Sequence, residues 1–166
     1  MIQRFLNRFG NVLYLQIWSD RLKFTNANNG KCFDEKPCLA IKQNSNGKKI
    51  ILDIGNGAAY KKGGDVQIIN PFHHPRILIA DFTVAEKIVQ HAMRQILSGQ
   101  LFNPSPFVIV HPMERIEGGI TGIERRAFEE LARGAGAFEA VVYTGNEIPN
   151  KDLNIKTVRE LLGILK

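Results

Sequence analysis

Residues 83–143 read TVAEKIVQHAMRQILSG (83–99), FVIVH (107–111), TGIERRAFEELARG (121–134) and FEAVVY (138–143). The first stretch places Val84, Ile88, Val89, Ala92, Met93, Ile96 and Leu97 on one helical face, and Gly99 ends it. Thr83 and Glu86 have the spacing of a capping box, as do Thr121 and Glu124 at the start of the second helix, which stops at Gly134. The two apolar stretches are too short for helices and read as buried strands. Helix, strand, helix, strand therefore predicts helices packed on a largely parallel sheet.

Working outward, Val12–Trp18 and Arg21–Thr25 read as strands joined by a tight turn at Ser19-Asp20, and Cys38–Lys42 reads as a third. The Gly- and Lys-rich stretch from Gly47 to Gly64 predicts a small insertion, placed at about 44–80, with short strands at Val66–Ile69 and Ile77–Ile79. Ile155, Val158, Leu161, Leu162 and Leu165 line one side of a final helix. An antiparallel meander followed by alternating helices and strands is an α/β, ribonuclease-H-like layout: a mixed sheet flanked by helices. The reading is one such unit over 11–166.

The 166 residues carry 22 Lys+Arg, 16 Asp+Glu and a net charge of +6, with 44% hydrophobic residues. That composition excludes a disordered or collagen-like chain. No apolar run approaches the roughly 18 residues of a membrane span. Arg4 and Arg8 break the apolar core that a signal peptide requires. Two cysteines, Cys32 and Cys38, make no disulfide framework, so a reducing cytoplasm is expected. Lys and Arg outnumber acidic residues by 11 to 4 over positions 1–63, against 11 to 12 over the rest. A local excess of that kind points to an anionic partner for the first third.

Ile2, Phe5, Leu6 and Phe9 recur at helical spacing in the first ten residues, with Arg4 and Arg8 on the other side and Gly10 as a stop. A short basic helix with this stripe suits a membrane interface, the other reading being a terminal helix docked on its own domain. Burying four large side chains contributes about 6–12 kcal/mol. Ordering ten residues costs about as much. Single copies should therefore bind anionic lipid weakly, and several copies held together should bind firmly.

The order and spacing of several motifs resemble one family. They are Ile79-Ala-Asp-Phe82, Glu86-Lys87, Gln90-His91, Pro104-Ser-Pro106, Glu124-Arg-Arg-Ala127 and Gly134-Ala-Gly-Ala137, with Asp34–Pro37 and Ala40–Gln43 upstream. Together they resemble the N-terminal half of the MreB family of bacterial actin-like rod shape-determining proteins, over residues 1 to about 143. The resemblance implies an actin-type subdomain, a nucleotide held between two halves, and membrane attachment through the basic N-terminal helix.

The nucleotide positions depart from the family. Where its first phosphate loop carries an Asp near magnesium and a Gly that admits phosphate, the chain has Gln16, Ile17, Trp18, Ser19 and Asp20. An amide replaces a carboxylate, and an indole fills the space of a hydrogen atom. Asp20 is displaced by four residues. Thr144-Gly-Asn146 replaces the Glu-Glu-Pro after the last strand, with Glu147 as a shifted substitute. Asp53-Ile-Gly-Asn-Gly57 imitates the family's second phosphate loop but lies in the insertion, where an ordinary Gly turn is expected. Gly118, Gly119 and Gly122 fall in a loop about five residues longer than the family's.

Phosphoryl transfer needs metal, phosphate positioning and an oriented water. The resemblance thus implies a degenerate site, with no catalytic residue, no nucleotide cofactor and no metal. Two-metal nuclease chemistry lacks its clustered carboxylates. His73, His74, His91 and His111 have no ligand spacing, and no nucleic-acid motif accompanies the charge. The leading expectation is a non-enzymatic cell-shape protein on the inner face of the cytoplasmic membrane. It would work with a full-length actin-like filament or other cell-shape proteins. The alternative is an ATP-dependent protein whose site another chain completes; a third is a folded remnant without a specific partner.

Overall fold

The computed structural model describes residues 11–100 and 104–153, together with positions 157, 160 and 163. The N-terminal stripe (residues 1–10) and the apolar positions of the final helix from Ile155 to Leu165 lie outside the described residues.

Five strands form the main sheet: β1 (Val12–Ile17), β2 (Leu22–Asn26), β3 (Cys32–Glu35), β7 (Phe107–Pro112) and β8 (Glu139–Val142), in the order β3-β2-β1-β7-β8. β1 to β3 are an antiparallel meander, while β7 and β8 run parallel to β1 and to each other. A second sheet, ordered β5-β4-β6, contains β4 (Leu39–Gln43), β5 (Lys49–Ile54) and β6 (Val66–Ile69). Helix α1 (Asn56–Ala59) belongs to that unit; α2 (Phe82–Leu97) and α3 (Gly122–Gly134) pack on the main sheet.

Two strand readings change. The third strand of the main sheet is Cys32–Glu35, and the Cys38–Lys42 stretch opens the small sheet instead. Pro37 separates the two, removing a donor and ending the ladder. Ile77–Ile79 forms no strand. Arg115 reaches this segment, its Nη1 donating to the Phe72 and Ile77 carbonyls at 3.2 and 3.4 Å, where a ladder would otherwise hold backbone.

The alternation along β1 explains the layering. Leu13, Leu15 and Ile17 enter a core with Ile88, Val89, Ile96 and Leu131 from the helices. Val12 and Tyr14 face the other way, into a smaller core with Phe107, Ile109, Ile148 and Leu153. A strand covered on both faces reads as a continuous apolar run, as VLYLQI does.

The helix starts differ. α3 carries the expected capping box: Glu124 N–H donates to Thr121 Oγ1, and the Glu124 carboxylate accepts from the Thr121 amide. Those bonds hold the Glu124 carboxyl below its usual range. α2 is capped instead by Asp81, whose Oδ1 accepts from Val84 N at 3.0 Å. Asp81 is extended (φ −131°, ψ 98°), the backbone an N-cap requires, and Thr83 already lies inside the helix.

Three residues that carried the family resemblance meet where the helices touch. Gln90 Nε2 donates to the Gly134 carbonyl at 3.0 Å, and any side chain on Gly134 would run into the Glu86 carboxylate. Gly134 ends the helix, and it also lets α3 approach α2.

Asp81→Ala should cost about 1 kcal/mol of stability through the lost cap, while Thr83→Ala, inside the helix, should be neutral or slightly stabilising. Paired urea denaturation curves check this; equal losses would restore Thr83 as the cap.

Candidate functional site

In α/β folds ligands gather beyond the carboxyl ends of the parallel strands. Here those ends are Gln16-Ile17 of β1, His111-Pro112 of β7 and Val142 of β8. Gln16 is buried at 1% exposure, and its Nε2 donates to Glu147 Oε1 at 2.7 Å, with Met113 Sδ at 3.8 Å. Glu147, weighed in the sequence only as a shifted substitute, thus does reach the end of β1. Its partner there is a neutral amide.

The β1–β2 turn is closed by its own backbone, Trp18 N–H donating to the Arg21 carbonyl at 2.9 Å. The Trp18 ring is half-buried, with the Arg21 guanidinium 4.9 Å from its centroid. Arg21 grips Asp34 through two bonds of 2.7 and 2.6 Å. The guanidinium holds the Asp34 carboxyl below its usual range. Asp20 is exposed in the turn.

Ser19 is the informative position. Its N–H donates to Glu114 Oε2 at 2.8 Å, and its carbonyl accepts from Asn70 Nδ2 at 2.8 Å. An outward-facing amide in such a turn is a donor that suits an anion. The protein supplies its own anion, Glu114, from the loop between β7 and α3. Sequence reasoning counted that loop as long and missed this carboxylate; the added length was its only signal.

The turn at Asp53–Gly57, which imitates a phosphate loop in sequence, is filled in the same way. Gly55 has φ +93°, and its N–H donates to the Cys38 carbonyl at 2.8 Å. The next amide, of Asn56, donates to Glu35 Oε2 at 2.8 Å. The turn is thus occupied by a carboxylate of β3.

The titratable residues scatter. His91 packs edge-on against Phe33 with ring centres 6.0 Å apart, and His74 Nδ1 accepts from Arg76 N–H at 3.2 Å. Among the described residues no three His, Cys, Asp or Glu side chains are placed to hold a metal ion. Cys38 is buried, which pushes its thiol up, and Cys32 is exposed. Among these residues no helix is long and apolar enough to cross a membrane.

Behind Gln16 lies a buried group absent from the sequence reading. Tyr14 Oη sits 2.6 Å from His111 Nδ1, and Ile148 N–H donates to the same hydroxyl at 3.3 Å. Burial, chiefly, pushes the Tyr14 phenol up to about 12, with Glu147 and Tyr143 adding to it and the Ile148 bond opposing.

A five-stranded mixed sheet in this order, with a small inserted sheet after the meander and a turn at the head of β1, defines one half of an actin-like protein. The family model described as MreB/Mbl protein matches residues 22–148, beginning just after that turn. The chain belongs to the MreB/Mbl family. It is 33% identical over 143 residues to the cell shape-determining protein MreB of Escherichia coli K12, covering 84% of this chain and 40% of that protein. It is 34% identical over 135 residues to MreB of Haemophilus influenzae Rd, covering 79% and 37%. The chain thus spans about two-fifths of these relatives. Among solved structures it is similar to MreB5 of Spiroplasma citri bound to AMPPNP, with TM-score 0.60, 18% identity, and coverage of 81% of this chain and 38% of that one. It is also similar to a non-polymerising A278D mutant of MamK bound to AMPPNP, with TM-score 0.63, 13% identity, and coverage of 82% and 41%. These two likenesses establish the actin-like fold.

The Tyr14 geometry has an alkaline signature. Its folded pKa of about 12 exceeds the ordinary 10.0, so its contribution to stability is complete below pH 10 and disappears as pH rises through 12. Ultraviolet difference titration should show one of the three tyrosines ionising late, together with unfolding. Tyr14→Phe should remove that late step; its persistence would refute the assignment.

Proposed function

We propose that this chain is a non-enzymatic cell-shape protein. It would lie peripherally on the inner face of the cytoplasmic membrane and work with an actin-like filament. The observation that carries the non-enzymatic reading is the bond from Ser19 N–H to Glu114. A phosphate placed against that amide would have to displace a carboxylate and pass beside Trp18. Glu114 is acidic, so its charge opposes a phosphate brought to the amide that it occupies. Gln16 offers an amide where the family resemblance implies a carboxylate near magnesium.

The membrane reading rests on residues 1–10, with Ile2, Phe5, Leu6 and Phe9 as the lipid-facing stripe and Arg4 and Arg8 for anionic headgroups. Residues 11–166 are then one actin-type unit carrying the insertion at about 44–80. The filament partner is inferred from kinship with the cell shape-determining MreB proteins. Among the described residues the main sheet ends at β3 and β8.

One observation favours the second reading, an ATP-dependent protein completed by another chain. Glu147 reaches Gln16 at the strand ends, so an acidic group does stand beside the position a nucleotide would take.

Two measurements decide. Calorimetric titration of the chain with magnesium and ATP should give no binding heat; millimolar or tighter binding would favour the second reading. In flotation with vesicles rich in anionic lipid, the whole chain should float weakly and a variant lacking residues 2–9 should stay at the bottom. Equal flotation of the two would end the membrane assignment.

A further inference from the structure

Residues 145–153 cross the face of the main sheet opposite the helices. Ile148 and Leu153 are buried there against Val12, Tyr14, Phe107 and Ile109. One buried relay holds this segment at two points. Ile148 N–H donates to Tyr14 Oη at 3.3 Å, and Tyr14 Oη lies 2.6 Å from His111 Nδ1. The Gly145 backbone lies beside the same imidazole. Tyr143 packs edge-on against the ring, with centres 5.0 Å apart. His111 is 2% exposed and Tyr14 is fully buried.

The donor count decides the protonation state. A tyrosine hydroxyl has one proton to give. The buried O–H proton needs an acceptor of its own, and among the described residues His111 Nδ1, at 2.6 Å, is the one beside it, so Nδ1 accepts. The ring's proton then sits on Nε2. A second proton would enter at Nδ1 and set an N–H against the Tyr14 O–H. The hydroxyl would have to turn away, and its own proton would lose its buried acceptor.

We propose that this relay is a proton-operated clip: neutral His111 holds segment 145–153 on the sheet, and doubly protonated His111 releases it, uncovering the apolar strip of Val12, Tyr14, Phe107 and Ile109. The inference uses neither residues 1–10 nor the β1–β2 turn; the segment also carries Glu147, whose bond to Gln16 is a further tether to β1.

Among the described residues, the titratable groups facing the ring are Tyr14 from β1, Tyr143 after β8, and Glu147 from the segment itself. Burial lowers the His111 pKa from its usual value, and the Gly145 backbone and Glu147 oppose that without reversing it. A base whose folded pKa is depressed stabilises the fold above its unfolded pKa. It gives up that stability as pH falls through the folded value. The clip is therefore closed at neutral pH and opens below the ordinary histidine range.

Hydrogen exchange of the full chain, read by mass spectrometry at about pH 7.5 and about pH 5 and corrected for intrinsic rates, tests this. Peptides from 144–153 and from β1 should lose protection by about tenfold or more at the acid pH, while α2 keeps its own. His111→Gln, which cannot titrate, should abolish the pH difference. Tyr14→Phe should expose the segment at both pH values by a similar factor, and it keeps the test open if the Gln variant does not fold. Unchanged protection of 144–153 in the native chain would overturn the proposal. So would a loss shared equally by α2, or a Tyr14→Phe protein with the native pH response.

Discussion

Strand β1 is buried along all six of its residues, and that burial sets the terms for everything around it. A central strand has two faces, and each face needs a cover. Helices α2 and α3 supply one with a contiguous aliphatic core. The other is supplied, among the described residues, by a short segment, loop with one 3-10 turn at Asn150–Asp152, that brings Ile148 and Leu153. Irregular backbone over a sheet leaves polar groups that a helix would satisfy internally. Tyr14, inside the strand, takes up one of them by accepting the Ile148 amide. The buried phenol and imidazole thus follow from covering a sheet with loop.

The same economy governs the two turns that resemble phosphate loops. A turn that points an amide outward requires an acceptor, whether ligand, water or side chain. Glu114 serves Ser19 and Glu35 serves Asn56. In both cases the acceptor comes from a different element, so the turn is also fastened to the rest of the fold. The small sheet is tied back to the β1–β2 turn by Asn70, and Arg115 fastens the chain leaving that sheet by binding its carbonyls. Fastening of this kind stabilises a single arrangement around the strand ends.

Much of the architecture was legible because it rests on local chemistry. The faces of α2 and α3, the capping box at Thr121, the stop at Gly99 and the apolar strands β7 and β8 all depend on neighbours a few residues apart. The errors came where two local signals competed or where the partner was distant. Thr83 and Asp81 both offer a cap, and the backbone at Asp81 decided between them. Cys32–Glu35 carries two charged residues in four and looks like loop; it is a strand because β2 pairs with it at the sheet edge. The family resemblance was legible through residues such as Glu86, Gln90 and Gly134, although their meeting between two helices was not.

By itself, then, the sequence determined the α/β class, the family, the two large helices and the identity of the residues, Gln16 and Trp18, at the head of the first strand. Periodicity, capping and side-chain volume are properties of short stretches, and they survive without knowledge of the rest. Only the tertiary structure decided what those residues and their neighbours meet. It placed Glu114 on the Ser19 amide, Glu147 on Gln16, and His111 on Tyr14, across separations of 95, 131 and 97 residues. Contacts of that range depend on how the sheet is ordered and which face each strand turns inward, and neither is encoded in any one segment.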